Sequence, residues 1–308
     1  TPDEAGTSAA VVSNTYVTGY YSVRLTCTNS LGQTASLVRS NYLIVYSDQA
    51  YVATNGGHVP PYDSWAKAAT NLQSAINAVY SPGIVWVSNG SYTLGQALDI
   101  TRAVAVRSLA GPSNTTIRVG GALEILKLNH ANAVVTGFRM TGSSGLSWMF
   151  HGAVKVQSGT LSNCIISGNS VGSGGGVHLI GGLVSDCTIS NNVSYWDSNG
   201  DGGGAYVTGG TLSNCWVVSN DGENGGGVFL TGGLVTRCVI TGNVLNAYSG
   251  ASQGGSGVRM SGGTLANCLV ARNRIPAGKG TNGAGIYLSG GSVLNCTIVH
   301  NGCADNEV

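Results

Sequence analysis

Apolar and polar residues alternate in short runs along most of the chain, and similar runs return many times. The runs "VHL", "LVS" and "CTIS", which begin at Val177, Leu183 and Cys187, place apolar side chains at every second position. A period of two is typical of a β-strand with one buried face. Glycine pairs and single bend residues separate the runs, as turns do. Three short strands per repeat are therefore predicted. The inward residues of one repeat are Val177, Leu179, Val184, Cys187 and Ile189.

One cysteine marks each repeat. The six are Cys164, Cys187, Cys215, Cys238, Cys268 and Cys296, at spacings of 23, 28, 23, 30 and 28 residues. An asparagine follows each of them five positions later, at Asn169, Asn192, Asn220, Asn243, Asn273 and Asn301. Fixed landmarks at unequal spacing indicate rigid segments joined by one variable loop. This pattern predicts a solenoid, in which each coil buries its apolar face only by stacking on the next.

The asparagines and cysteines have distinct predicted roles. The residue before the cysteine stands at a bend, where asparagine tolerates the left-handed backbone, as at Asn163 and Asn214. Stacked asparagine amides can hydrogen-bond from coil to coil. The cysteines point inward, so we expect buried free thiols. Disulfides between neighbouring coils are conceivable by Cα distance, but parallel side chains hold the Cβ atoms wider apart than a relaxed bridge prefers.

The motifs "GGTLSNC" and "GGGVHL" resemble the coils of right-handed parallel β-helix proteins of the pectate-lyase-like superfamily. They are also similar to the glycine-rich repeats of polymorphic outer-membrane and autotransported surface proteins. The resemblance covers roughly residues 84–308 and implies an all-β solenoid. It does not select an activity, because catalytic and non-catalytic proteins share this fold.

Two further segments precede the coils. Helical spacing of apolar residues predicts a helix over about 64–80, capped by Asp63 or Ser64. The resemblance implies that this helix covers the first coil. Residues 1–48 include two alternating runs around the turn "NSLGQ" and resemble the last part of a PKD-type immunoglobulin-like β domain. The predicted division is therefore 1–48 for this partial domain and 49–308 for the β-helix with its capping helix.

Composition narrows the classes of function. Only 9% of the 308 residues are charged, 49 are glycine, and the formal net charge is +1. No basic run indicates binding to nucleic acid, and no apolar stretch approaches the roughly 20 residues of a membrane span. A surface rich in Ser, Thr, Asn and Gly favours an extracellular or cell-surface location. An export signal is expected outside this stretch of sequence.

The outward positions of the first strand are candidate ligand-binding residues, because the resemblance implies a binding groove over this strand. They are Lys155, His178, Tyr206, Phe229, Arg259 and Tyr287. Aromatic rings and cations suit sugar rings and acidic groups. Alternatively, such residues pack across a strand ladder without any ligand. Clustered carboxylates of a lyase or hydrolase are missing from this face of the strand, so no catalytic residue is assigned.

The loop "DSNGDG" predicts a calcium site. Asp197, Asn199 and Asp201 alternate as oxygen ligands before Gly202, as in the opening of an EF-hand loop. Thr208 stands where that loop carries its glutamate, so Asp221 or Glu223 of the next coil would have to complete the site. A glycine-rich turn with two aspartates is the alternative interpretation.

A third candidate surface follows the cysteines. Outward-pointing Ile165, Trp216, Val239 and Leu269 form an apolar stripe, which either lies beneath folded-over loops or binds another molecule. We favour cover by the loops that carry Trp148, Phe150, Trp196 and Tyr248. The last coil has no polar cap, which favours self-association through its end or continuation of the chain.

These patterns lead to one functional hypothesis and one alternative. The first is a non-enzymatic extracellular or cell-surface β-helix with a structural or adhesive role, assembling into a polymer or filament. The alternative is a polysaccharide-binding module, or a polysaccharide lyase or glycoside hydrolase, that uses the outward face of the first strand. No cofactor other than calcium is indicated.

Overall fold

The computed structural model describes residues 15–121, 124–145, 152–172, 174–194, 201–245, 254–277 and 282–303. From residue 47 onward these residues form stacked coils, in which each strand pairs in parallel with the equivalent strand of the next coil. The architecture is a parallel β-helix, as the sequence predicts. Its parallel strands form four sheets that run along the stack.

The first and second sheets meet in two long strands. The first sheet contains Leu98–Ile100, Leu126–Leu128, Val154–Val156, Val177–Leu179, Ala205–Val207 and Val228–Leu230. The second contains Ser47–Val52, Val79–Val87, Val104–Ser108, Val134–Thr136, Thr160–Ser162, Leu183–Ser185, Thr211–Ser213 and Leu234–Thr236. Val258–Ala266 and Ile286–Leu294 run through both.

The third and fourth sheets complete each coil. The third contains Gly90–Leu94, Thr115–Gly121, Arg139–Ser143, Ile165–Ser167, Thr188–Ser190, Trp216–Val218, Val239–Thr241, Leu269–Ala271 and Thr297–Val299. The fourth contains Ser170–Val171, Val193–Ser194, Asp221–Gly222, Val244–Leu245, Arg274–Ile275 and Gly302–Cys303. The fourth sheet corrects the prediction of three strands per coil. A two-residue strand is too short to show a periodic pattern, and the sequence analysis assigned it to the variable loop.

One continuous apolar core fills the stack. Val177, Leu179, Val184, Cys187 and Ile189 all point inward and are buried, as predicted. Aliphatic side chains in such positions contribute roughly 1.5–3 kcal/mol each when fully buried. Because every coil contributes the same inward positions, removing one coil would expose the apolar side chains of its two neighbours.

The bends before the cysteines adopt the predicted left-handed conformation. The backbone φ is 48° at Asn163, 54° at Asn214, 55° at Asn267 and 50° at Asn295. The residues that replace asparagine at this position keep the same geometry, with φ of 55° at Asp186 and 53° at Arg237. The shape of the coil therefore dictates the bend, and asparagine is the residue that fits it best.

The asparagines after the cysteines form a hydrogen-bonded ladder through the core. Asn192 is typical: its Oδ1 accepts from the backbone N–H of Asn169 at 3.1 Å and from the Nδ2 of Asn169 at 3.0 Å. Its Nδ2 donates to the carbonyl of Ile166 at 2.9 Å and to Oδ1 of Asn220 at 3.1 Å. The pattern repeats as far as Asn301. The predicted coil-to-coil bonding is confirmed.

All eight cysteines are free thiols. In the row of repeat cysteines, the Sγ atom of Cys187 lies 3.1 Å from the carbonyl oxygen of Ser185, and the Sγ atom of Cys215 lies 3.2 Å from the carbonyl oxygen of Ser213. A weak S–H donor that meets a carbonyl in this way fits a small, buried, apolar position. The prediction of buried free thiols is confirmed for Cys164, Cys187, Cys215, Cys238 and Cys268.

The helix is shorter than the predicted 64–80 and comprises Leu72–Ala78. Its N-cap is Asn71, not Asp63 or Ser64, and the Oδ1 of Asn71 accepts from the N–H of Ser74 at 3.2 Å. Residues 66–68 are not helical because their carbonyls accept from the N–H groups of residues 57–59. The buried side chains of the helix pack against the start of the stack, so it covers the core there as predicted.

An antiparallel hairpin precedes the coils. It pairs Gly19–Thr28 with Thr34–Val45 around the predicted turn. Leu25 and Leu37 lie opposite each other on one face and are mostly exposed. The assignment of residues 1–48 to a partial immunoglobulin-like domain remains a prediction.

Candidate functional site

The six predicted ligand-binding residues form one straight column. Each lies on the central, outward position of its strand, or at the equivalent position of a longer strand, and pairs in register with the next: Lys155 with His178, His178 with Tyr206, and onward through Phe229 and Arg259 to Tyr287. The parallel pairing without offset places successive side chains one strand spacing apart, about 4.8 Å. We call these six residues, together with Lys127 and Asp99 of the preceding coils, the binding column.

The rings of the binding column stack on one another. The centroids of His178 and Tyr206 are 5.0 Å apart with planes inclined by 10°, and those of Tyr206 and Phe229 are 5.4 Å apart at 9°. The guanidinium carbon of Arg259 lies 5.4 Å from the Phe229 centroid and 5.5 Å from that of Tyr287. Each such contact is worth roughly 0.5–1.5 kcal/mol. The faces of these rings therefore contact neighbouring side chains of the column.

Two members of the binding column were missed by the sequence analysis. Lys127 pairs in register with Lys155, and Asp99 pairs with Lys127. Their coils lack the cysteine, so the repeat alignment did not reach them; the alternation in "LKL" and "LDI" was the available signal. Lys127 is bound by Glu124, with 3.0 Å between Nζ and Oε2. Asp99 accepts from Asn129 at 2.8 Å. No ion-pair partner of Lys155 occurs among the described residues.

A polar network connects residues that lie just before the first strand of two coils to the binding column. Asp201 and Asn224 pair as an isolated parallel bridge in successive coils, and the Nδ2 of Asn224 donates to Oδ1 of Asp201 at 3.0 Å. The Oδ1 of the same amide accepts from Nη1 of Arg259. Glu223 is buried beside them. No local sequence pattern indicates this network, because its members are 23 and 35 residues apart in repeats of unequal length.

The pKa of Asp201 is raised to about 6: burial is the largest cause and the charge of Glu223 adds to it, whereas the Asn224 hydrogen bond and the charge of Arg259 oppose it. The folded protein therefore binds this proton more tightly than the unfolded chain, whose carboxyl has the ordinary value of 3.8. The ionised carboxylate destabilises the fold, so stability falls as pH rises through the window from about 4 to 6.

We expect Asp201→Asn to melt at a higher temperature than the wild type at about pH 7.5, and at the same temperature at about pH 3, below both pKa values. The gain at the higher pH is on the order of 3 kcal/mol, since the shift is about two pKa units and each unit corresponds to about 1.4 kcal/mol. Thermal unfolding at both pH values measures it. Asp186→Asn is the control, because the hydrogen bonds from Asn214 and Ser185 lower the Asp186 pKa. Its ionised carboxylate stabilises the fold, so the asparagine variant should melt at a lower temperature than the wild type at about pH 7.5. An Asp201→Asn difference that does not change with pH would contradict the expectation.

The predicted calcium loop is only partly described. Asp197 and Asn199 lie outside the described residues, and the third predicted ligand, Asp201, accepts a hydrogen bond from Asn224. Among the residues that the structure describes, no group of three or more His, Cys, Asp or Glu side chains is arranged to hold a metal ion. Calcium binding stays a prediction from the sequence.

The apolar stripe is confirmed as one column on the third sheet: Ile165, Thr188, Trp216, Val239 and Leu269 pair in register. Trp216 is 56% exposed and Leu269 is 37% exposed. The expected cover by loops stays a prediction. The loops expected to supply it carry Trp148, Phe150, Trp196 and Tyr248, which lie outside the described residues. In the last described coil, Leu288, Leu294, Ile298 and Val299 are also exposed.

No protein-family model matches the chain. A search of curated proteins found no match either. Among solved structures, pectin methylesterase in complex with hexasaccharide VII matches with a TM-score of 0.41 and 14% identity, over 74% of this chain and 80% of that chain. A mutant of pectin methylesterase in complex with hexasaccharide IV matches with a TM-score of 0.40 and 14% identity, over 80% of this chain and 81% of that chain. Similarity at this level does not show that the two proteins share an activity.

No helix in the described part of the chain has the length and apolar character needed to cross a membrane.

Proposed function

We propose that this protein is a non-enzymatic, extracellular or cell-surface β-helix with an adhesive role, and that it binds acidic polysaccharide along the binding column. The observation that carries the proposal is the placement of Lys127 and Lys155 side by side, in line with the stacked rings and Arg259. The extracellular location rests on the low charge content and on the resemblance of the repeats to surface proteins.

The two lysines favour an anionic ligand. Like charges directly opposite on neighbouring strands repel each other. Glu124 offsets the charge of Lys127, but Lys155 has no such partner among the described residues. An extended polyanion lying along the stack would meet Lys127, Lys155 and Arg259 in turn, which relieves the repulsion. Because the column is straight, it suits a linear polymer better than a compact ligand.

The ring stacking supports binding rather than catalysis. His178 is buried against Tyr206, and Tyr206 stacks on Phe229 in turn, so these groups form a fixed ridge. A fixed ridge orients a bound chain through its edges and its cations. Acid–base chemistry instead needs side chains that can reach the reacting atoms.

Substituting Lys155 tests the proposal. We expect Lys155→Gln to weaken binding of polygalacturonate and dextran sulfate by roughly threefold to tenfold, through loss of one charge contact. Isothermal titration calorimetry measures this, with neutral dextran expected not to bind. Arg274→Gln removes an exposed cation from the fourth sheet and serves as the matched control, with unchanged affinity expected.

The same samples test the enzymatic alternative. Polygalacturonate incubated with the protein is assayed for unsaturated uronides by ultraviolet absorbance and for new reducing ends. Appearance of either product would contradict a non-enzymatic role and would favour a lyase or a hydrolase, respectively. Equal affinity of wild type and Lys155→Gln would contradict the location of the binding surface.

Assembly into a filament remains a further part of the proposal. It is supported by the exposed Trp216 and Leu269 on the third sheet and by the exposed apolar side chains of the last described coil. Polysaccharide binding does not depend on it, because the binding column lies on a different sheet.

A further inference from the structure

One side chain, Asn224, connects Asp201 to the binding column. Its amide donates to the Asp201 carboxylate and accepts from the Arg259 guanidinium. Asp201 and Arg259 form no direct ion pair within 4.0 Å. The position of Arg259 therefore depends on the Asn224 amide, and the orientation of that amide depends on having an acceptor at Asp201.

Arg259 has little freedom of its own. Its guanidinium lies between the rings of Phe229 and Tyr287, and its buried Nε meets no hydrogen-bond partner among the described residues. The two rings and the Asn224 amide together hold the guanidinium in the column, so the electric field that a ligand meets there depends on the groups around Arg259. Asp201 is linked to this guanidinium through the Asn224 amide.

We propose that Asp201 is a positioning residue that sets the strength of the binding column: through Asn224 it holds Arg259 in place, and its negative charge offsets that of Arg259. An acidic polysaccharide then binds more tightly when Asp201 carries a proton than when it is ionised. The inference rests on the proposed function and names the regulation of the same surface. Proton uptake neutralises the carboxylate and leaves the guanidinium charged.

The ionisable groups acting on Asp201 fix the pH window. Among the described residues they are Glu223, Arg259 and Tyr206. Burial and Glu223 favour the protonated carboxyl, and Arg259 opposes it, with the resulting pKa of about 6. His178 lies in the same column and is itself ionisable near neutral pH. A test must therefore separate Asp201 from His178.

Dextran sulfate is the suitable probe because its sulfate charge does not change in this pH range. We expect the wild type to bind it roughly threefold to tenfold more tightly at about pH 5 than at about pH 7.5. We expect Asp201→Asn to bind at both pH values with the affinity that the wild type has at the lower one. Any pH dependence left in this variant reports His178. Asp186→Asn makes the same change of net charge far from the column and should retain the pH dependence of the wild type.

The outcomes separate the two proposals. If the wild type binds equally at both pH values while Lys155→Gln still weakens binding, this inference fails and the proposed function stands. If Asp201→Asn keeps the full pH dependence, or Asp186→Asn abolishes it equally, the assignment to Asp201 is wrong. If dextran sulfate and polygalacturonate do not bind the wild type at either pH, both proposals fail. A cooperative thermal transition at about pH 5 and a circular dichroism spectrum like that of the wild type verify that the variants are folded.

Discussion

Asn220→Ala is expected to lower the free energy of unfolding by about 4 kcal/mol, because several buried polar groups each cost about 1–3 kcal/mol when left unsatisfied. The Oδ1 of Asn220 accepts from the backbone N–H and the Nδ2 of Asn192 at 3.0 and 3.1 Å. Its Nδ2 donates to the Ile189 carbonyl at 2.9 Å and to Oδ1 of Asn243 at 3.0 Å. Alanine removes all four bonds at a site with no exposed surface.

Urea unfolding followed by circular dichroism measures this loss. Asn301→Ala is the matched control at the end of the described ladder. There the side chain is partly exposed, and water can replace the lost partners. We therefore expect a loss in the free energy of unfolding of less than half that of Asn220→Ala. Equal losses in the two variants would contradict the expectation that burial makes the coil-to-coil hydrogen bonds of the ladder stabilising.

Gly204→Ala is expected to destabilise the protein by about 3 kcal/mol, the cost of forcing a methyl group into a packed core. A Cβ at Gly204 would lie 2.7 Å from the carbonyl oxygen of Gly227, 2.8 Å from Nδ2 of Asn220 and 2.8 Å from Cγ1 of Val217. Gly176, Gly227 and Gly257 stand over the asparagine ladder in the same way. The position just before the first strand of these coils therefore has to be glycine, because a larger residue would clash with the side-chain amide of the ladder asparagine.

Thermal and urea unfolding of Gly204→Ala test this requirement. Gly95→Ala is the matched control, since no atom lies within 4 Å of its added Cβ and its backbone conformation suits alanine. We expect no measurable loss there. If Gly204→Ala were as stable as wild type, the coils would be able to separate locally without cost, contrary to the continuous core.

Much of the coil could be predicted from the sequence because its determinants are local. The period of two identifies Val177 and Leu179 as inward residues, and the asparagine before each cysteine marks a left-handed bend. The helix was overestimated because residues 66–68 pair with residues 57–59, which is a tertiary contact that the apolar spacing does not reveal.

The alignment of the six outward side chains could be predicted for the same local reason, since strand register follows directly from the repeat. Their role in binding stays a proposal. The extension of the column to Lys127 was missed because the early coils lack the cysteine that anchored the alignment. The link from Asp201 through Asn224 to Arg259 could not be predicted. It depends on contacts between residues 23 and 35 positions apart in the chain, and no periodic pattern specifies these contacts.

The differences in repeat length fall almost entirely between the fourth strand of one coil and the first strand of the next. Residues 223–227 make this connection in five residues, whereas residues 246–257 use twelve. These connections all join a strand of the fourth sheet to a strand of the first sheet, which carries the binding column. The length of this connection can therefore change from coil to coil while the amide ladder and the core keep their spacing, so the sequence next to the binding column and the stability of the scaffold are free to vary independently.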